Sequence, residues 1–136
     1  MFEPISIPFG CVMLFNVVDL KDGVTVADVE LVLGEMCNVV KNNYGDDNGG
    51  FIGGQVYKYS GFVSKEGSVG NETEGEGTTS KLKQGELAIV TYWKSFDQHE
   101  KSHADKLFKD KFTELATFCD ETFELGYEML WQGVPE

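Results

Sequence analysis

Hydrophobic positions recur along the chain with two periods, and the switches between them mark its elements. Gly10 to Val18 is apolar on both alternating sets except at Asn16, which predicts a strand covered on both faces. From Thr25 the period lengthens. Val29, Val32, Leu33, Met36, Val39 and Val40 fall at three- and four-residue steps, Thr25-x-x-Asp28 is a capping-box-like start, and Asn42-Asn43-Tyr44-Gly45 is a stop. Asp46 to Gly50 is a turn by composition. A second strand is predicted from about Phe51 to Phe62, where Gly53-Gly54 marks a bulge or the close approach of another backbone. Glu86 to Trp93 reads as a third strand, again apolar on both parities in its middle.

Ser95 to about Asp120 reads as helical. Phe96, His99 and His103 share one face of its first turns, and Ala104, Phe108, Phe112, Leu115 and Cys119 form the inward stripe of the rest. A break near Ala104 or Asp105 would turn both faces to the sheet. Phe123, Leu125, Tyr127, Met129 and Trp131 then alternate with Glu124, Gly126 and Glu128, the period of a strand with one buried face and one polar face. The order β-α-β-β-α-β is that of an α+β, ferredoxin-like fold, an antiparallel four-stranded sheet with both helices on one face. Two helices cover only one face, whereas strands one and three are apolar on both. A second copy of the chain, paired sheet to sheet, is the simplest cover, so a homodimer is expected.

Composition narrows the picture. The 136 residues are expected to form a single domain, 1–136, and the 41% hydrophobic content supports a core. Between Val63 and Gly85 large apolar residues nearly vanish, which reads as a mobile insertion that cannot offset its own ordering entropy. Twenty-three acidic against 11 basic residues leave a formal net charge of −12, which argues against nucleic acid or an anionic membrane surface as partner. No apolar run approaches the ~20 residues that span a bilayer. The N-terminus carries Pro4 and Pro8 and no basic region, unlike a signal peptide. Cys11, Cys37 and Cys119, an odd number in apolar stretches, suit buried thiols in a reducing compartment, so a soluble cytoplasmic protein is expected.

His99-Glu100-Lys101-Ser102-His103 fits the pattern H-E-x-x-H, in which two histidines one turn apart converge on zinc and the glutamate serves as general base. That makes a zinc-dependent hydrolase one reading. The plainer reading is the polar first turn of an amphipathic helix, and it is preferred because Glu121 and Glu124, the downstream carboxylates, fall at the start of the last strand rather than on a second helix. Asn16 either bonds a neighbouring backbone or the dimer seam, or orients a phenolic substrate or oxygen. Tyr57, Tyr59, Tyr92, Trp93, Tyr127 and Trp131 could line a pocket for a flat ligand, though most are expected in core or interface. His103 is either a proton acceptor or a solvent-facing helix residue. Asp46 to Gly50 lacks the ligand spacing of a calcium loop, and the cysteines lie on presumed core positions without an activating charge.

Val90-Thr91-Tyr92-Trp93-Lys94-Ser95, an aromatic strand end running into a Ser-started helix, is followed by His99, Ser102, His103 and Phe108 and by a closing aromatic strand, Tyr127 to Trp131. In these features and in its element order the chain resembles the antibiotic biosynthesis monooxygenase-like superfamily of dimeric α/β barrels. The resemblance implies a homodimer with a cavity between each sheet and its helices. It also implies functions ranging from cofactor-free oxidation of quinol-like aromatics through haem breakdown to small-molecule binding. The haem-degrading branch places an Asn on strand one, matched by Asn16, but its Trp and His would fall at Ser102 and Phe112, which can neither stack on a porphyrin nor ligate iron. The expectation is thus a cofactor-free, oxygen-dependent oxidation of a small aromatic, quinol-like substrate, or else a non-catalytic homodimer that binds a small molecule or is stress-associated. Asn16 and His103 are the candidate catalytic residues and Tyr59, Tyr92, Trp93 and His99 the candidate substrate contacts. No metal and no cofactor are assigned.

Overall fold

The computed structural model describes residues 3–61 and 86–135, and the insertion expected at Val63–Gly85 lies outside them. Strand β1 spans Val12–Leu20, helix α1 Val26–Tyr44, β2 Phe51–Lys58, β3 Leu87–Trp93, α2 Phe96–His103, α3 Lys106–Ala116 and β4 Cys119–Glu128. The strands form one antiparallel sheet in the order β2-β3-β1-β4, the ferredoxin-like arrangement.

Helix α1 follows its sequence pattern closely. The Asp28 carboxylate accepts the Thr25 amide at 2.8 Å, one arm of a capping box, and all six apolar residues of the expected row are buried. Val29, Val32, Leu33 and Met36 pack with Val18, Leu20, Leu87 and Leu115 into the larger part of the core, and Val40 packs with Val12, Leu14 and Trp93 in the smaller. Strand β2 is shorter than expected, although Tyr59 still donates its amide to the Glu86 carbonyl at 2.8 Å. Its ladder with β3 shifts register between Phe51 and Gly53, where a Cβ on Gly53 would stand 2.9 Å from Ile5. The glycine pair therefore marks a bulge, and the group that comes close to Gly53 is the Ile5 side chain and not another backbone. Asp46–Gly50 is a turn, closed by the Gly49 amide on the Asp46 carboxylate at 2.7 Å.

The helical stretch expected from Ser95 to about Asp120 is two helices, divided at Ala104 and Asp105, where the sequence left room for a break. Asp105 ends the first by capping the next: its carboxylate accepts the Phe108 amide at 3.0 Å and the Tyr44 hydroxyl, from the end of α1, at 2.8 Å. Helix α3 stops at Ala116, before Asp120, because Cys119 onward is drawn into the ladder opposite Leu20. Cys119 thus belongs to β4. Cys11 and Cys119 are buried, but Cys37 lies on the outer side of α1, so the core placement expected of all three cysteines fails for one.

Strand β4 also reverses the expected faces. Its register sets Glu124 beside Asn16 and Gly126 beside Leu14, on the helix side, and turns Phe123, Leu125 and Tyr127 to the uncovered side. Those three are 39%, 42% and 49% exposed. Tyr57 of β2 is exposed on the same side, where Met13, Phe15 and Val17 of β1 are half-buried, and Leu130 and Trp131, just past β4, are also exposed. The polar parity of β4 faces inward because it has partners there. A Cβ on Gly126 would stand 2.7 Å from the Phe96 ring, so the glycine lets the start of α2 settle on the sheet.

Candidate functional site

The short α2 brings His99 and His103, one turn apart, down over β1, β3 and β4. Ser95 caps the helix by accepting the Gln98 amide at 3.2 Å, and the Lys94 ammonium pairs with Asp47 just before it. Gln98 donates from its own amide to the carbonyls of Asp47 and Asn48, at 3.0 and 3.1 Å, tying the helix to the turn before β2. Ser102 is buried, and its hydroxyl donates to the His99 carbonyl at 2.6 Å.

His99 is 2% exposed and is held from both ends. Its Nε2 lies 3.2 Å from Glu124 Oε2 and its Nδ1 lies 3.1 Å from Glu100 Oε1. The second Glu124 oxygen stands 4.0 Å from His103 Nε2. Asn16 completes the group from β1: its amide donates to the Ile89 carbonyl at 3.4 Å and bonds the Glu124 carboxylate. Around these polar atoms the rings form a column. Trp93 meets His99 edge-on at 5.3 Å, His99 meets His103 at 4.2 Å, and His103 stacks on Phe108 at 5.2 Å. The column buries His99 and leaves the His103 side chain 39% and the Glu124 side chain 25% exposed, so the cluster opens on one side.

The electrostatics follow from this packing. Burial alone would lower the His99 pKa, but the bonds and charges of Glu124 and Glu100 outweigh it and raise it above the ordinary imidazole value. Burial would raise the Glu124 carboxyl, yet the bond to His99, the charges of both histidines and the Asn16 amide bring it below the ordinary value. His103 is lowered, first by burial and then by the neighbouring His99 charge, with the two glutamates offsetting part of the effect. The result is a pair, His99 and Glu124, that share charge, beside a half-exposed imidazole biased toward its neutral, proton-accepting form.

The sequence candidates are distributed over both faces of the sheet. Asn16, Trp93, His99 and His103 lie on the helix side and come together. Tyr92 lies on the uncovered side, donating its hydroxyl to Gln55 at 3.1 Å and lining a recess of about 200 Å³ with Cys11, Met13, Tyr127, Glu128 and Met129. Tyr59 lies just past the end of β2 and is 41% exposed. Neither tyrosine joins the cluster. Asn16 spends its amide on Ile89 and Glu124 and so acts through Glu124. The H-E-x-x-H segment is more than the polar first turn that its sequence suggests, since His99 is among the most buried polar residues described. Glu100 bonds the outward nitrogen of His99 instead of facing the space between the histidines, which removes the general base of the hydrolase reading.

Glu124, a downstream carboxylate that the sequence reading set aside for lying on the last strand, completes the cluster. Its signal was present: the polar parity of the last strand matches, across β1, the single amide in an otherwise apolar strand, and both meet the histidine face of the following helix.

No family model matches the chain, and no curated protein does. Among solved structures, SnoaB of Streptomyces nogalater, described as a cofactor-independent oxygenase, superposes with a TM-score of 0.62 at 12% identity, over 93% of this chain and 99% of that one. A dimeric protein of unknown function and ferredoxin-like fold from Bacteroides fragilis gives 0.54 at 12% identity, over 88% of this chain and 97% of that one. Hydroxynitrile lyase from Passiflora edulis gives 0.55 at 11% identity, over 94% and 100%. At these identities the likeness is one of fold, and the fold is the ferredoxin-like architecture of the dimeric α/β-barrel proteins that the sequence resembles.

Proposed function

We propose that two copies of the chain pair through the uncovered face of the sheet and that each acts on a small, electron-rich aromatic at the His99–His103–Glu124 cluster. The observation that carries this reading is the cluster itself. A buried imidazole clamped between two carboxylates is costly to assemble in a structural core, and here it is backed by the buried Trp93 ring and stands beside a half-exposed imidazole that stacks on Phe108. His103 accepts a proton from the substrate, His99 and Glu124 hold the charge that this creates, and Asn16 positions Glu124. The electron-rich carbanion or phenolate so formed reduces oxygen directly. One oxygen atom becomes a carbonyl at an activated CH₂ of the substrate and the other leaves as water, so that CH₂ supplies all four electrons that O₂ takes up and both protons of the water. The fold shared with SnoaB supports oxidation without a bound organic cofactor.

The test is oxygen uptake by the full chain, in chelator, with a panel of electron-rich phenols that carry an activated CH₂ beside the ring. Wild type is expected to consume oxygen with at least one of them, to incorporate one labelled atom from ¹⁸O₂ into product, and to lose about 10²-fold or more in rate as His103→Ala. A ligand that raises the melting temperature without oxygen uptake would replace catalysis with binding alone.

A further inference from the structure

We propose that His99, His103 and Glu124 form a binding site for one divalent first-row transition cation per chain, of the zinc class. The proposal rests on the preceding one only for the place of the site.

The donor set comes first. The imidazole nitrogens and the carboxylate oxygen lie within 4.8 Å of one another. Tetrahedral zinc, with bonds of about 2.0–2.2 Å, holds its ligand atoms about 3.4 Å apart. The 3.2 Å from His99 Nε2 to Glu124 Oε2 already matches, while His103 Nε2 stands 4.0 Å from the other carboxylate oxygen, Oε1, and its half-exposed ring has to turn inward to complete the set.

The outer shell is the second observation. A ligating histidine ordinarily gives its other nitrogen to a carboxylate or carbonyl, which fixes the tautomer and turns the lone pair to the metal. Glu100 does this for His99 at 3.1 Å, and Asn16 steadies Glu124 from the strand behind it. The ligands therefore stand on two separate elements, α2 and β4, each supported by a neighbour. Two imidazoles and one carboxylate suit zinc, cobalt or ferrous iron better than calcium or magnesium. The exposed edge of His103 and Glu124 gives an entry path and a position for water. A cation here occupies the lone pair with which His103 would accept a proton, so metal binding and proton transfer are alternative uses of one site.

The experiment titrates Zn²⁺ into the tag-free, chelator-stripped full chain by calorimetry at pH 7.5, with Co²⁺ absorption as a second probe. One Zn²⁺ per chain is expected. His103→Ala and Glu124→Gln should each weaken it at least 10-fold and abolish the visible bands of tetrahedral Co²⁺, while Glu100→Gln should weaken it about 10-fold. Circular dichroism checks that each variant is folded, and His103→Gln stands in should the alanine variant unfold. Absence of saturable binding by wild type, or binding that His103→Ala and His103→Gln leave unchanged, overturns the proposal. Oxygen uptake in chelator is scored separately, so loss of the metal site leaves the oxidation reading standing, and the reverse holds too.

Discussion

Replacing Glu124 with leucine removes one partner of the most constrained polar group in the fold. Breaking a buried ion pair from one side costs ~3–5 kcal/mol when the remaining charge cannot escape. His99 can escape by shedding its proton, and the Glu124 side chain is 25% exposed, so water shares the interaction in the wild type. What remains is a buried Nε2 without a hydrogen-bond partner, a penalty of about 1–3 kcal/mol. Glutamine at the same position should cost less, about 1 kcal/mol, because its carbonyl still accepts from His99. It does not recover everything. The negative charge that pairs with His99 is gone. Urea denaturation in chelator, followed by circular dichroism at neutral pH, measures both at constant m-value. An unfolding free energy for Glu124→Leu within 0.5 kcal/mol of wild type would refute the clamped arrangement of His99.

Other expectations follow from single contacts. The bond from the Phe108 amide, and then that from Tyr44, holds the Asp105 carboxyl below its ordinary value. Its contribution is thus present above the unfolded aspartate pKa of about 3.9 and is lost as pH falls through the lower folded value. Asp105→Ala should therefore cost about 1 kcal/mol at pH 7, and the difference from wild type should shrink in acid unfolding as the medium drops below about pH 4. Gly126→Ala places a methyl 2.7 Å from the Phe96 ring and should cost about 1–3 kcal/mol in thermal or urea unfolding. Leu115→Ala, at a side chain 1% exposed between α1 and the sheet, should cost about 2–5 kcal/mol in the same assay.

The fold was legible because each strong pattern had one consistent solution. The six buried residues of α1 are the six that its spacing selects, since a helix with a single apolar stripe can turn only that stripe to a sheet. Of the two readings open for the glycine pair in β2, the bulge is the one that the ladder shows. The site was less legible. Asn16, Trp93, His99 and His103 were visible as individual chemistries, but Tyr92 and Trp93, adjacent in one strand, lie on opposite faces of the sheet and were grouped together. Strand β4 misled because alternation tells that two faces differ, without telling which one is covered. Its apolar parity faces outward, and its polar parity, Glu124 included, is stabilised by histidines far away in sequence. Where α2 ends and α3 begins decides which way those histidines point, and that depended on Asp105 and on Tyr44 from another helix.

Pairing of two chains through Phe123, Leu125, Tyr127 and Tyr57 is the premise that leaves the opposite face free to hold a reactive cluster. Sedimentation equilibrium of the full chain at micromolar concentration measures it most directly. Wild type should sediment with twice the mass of one chain, and Leu125→Glu, which sets a charge in the middle of that surface, should shift it to one. A wild-type particle with the mass of a single chain would contradict the pairing and the barrel built on it.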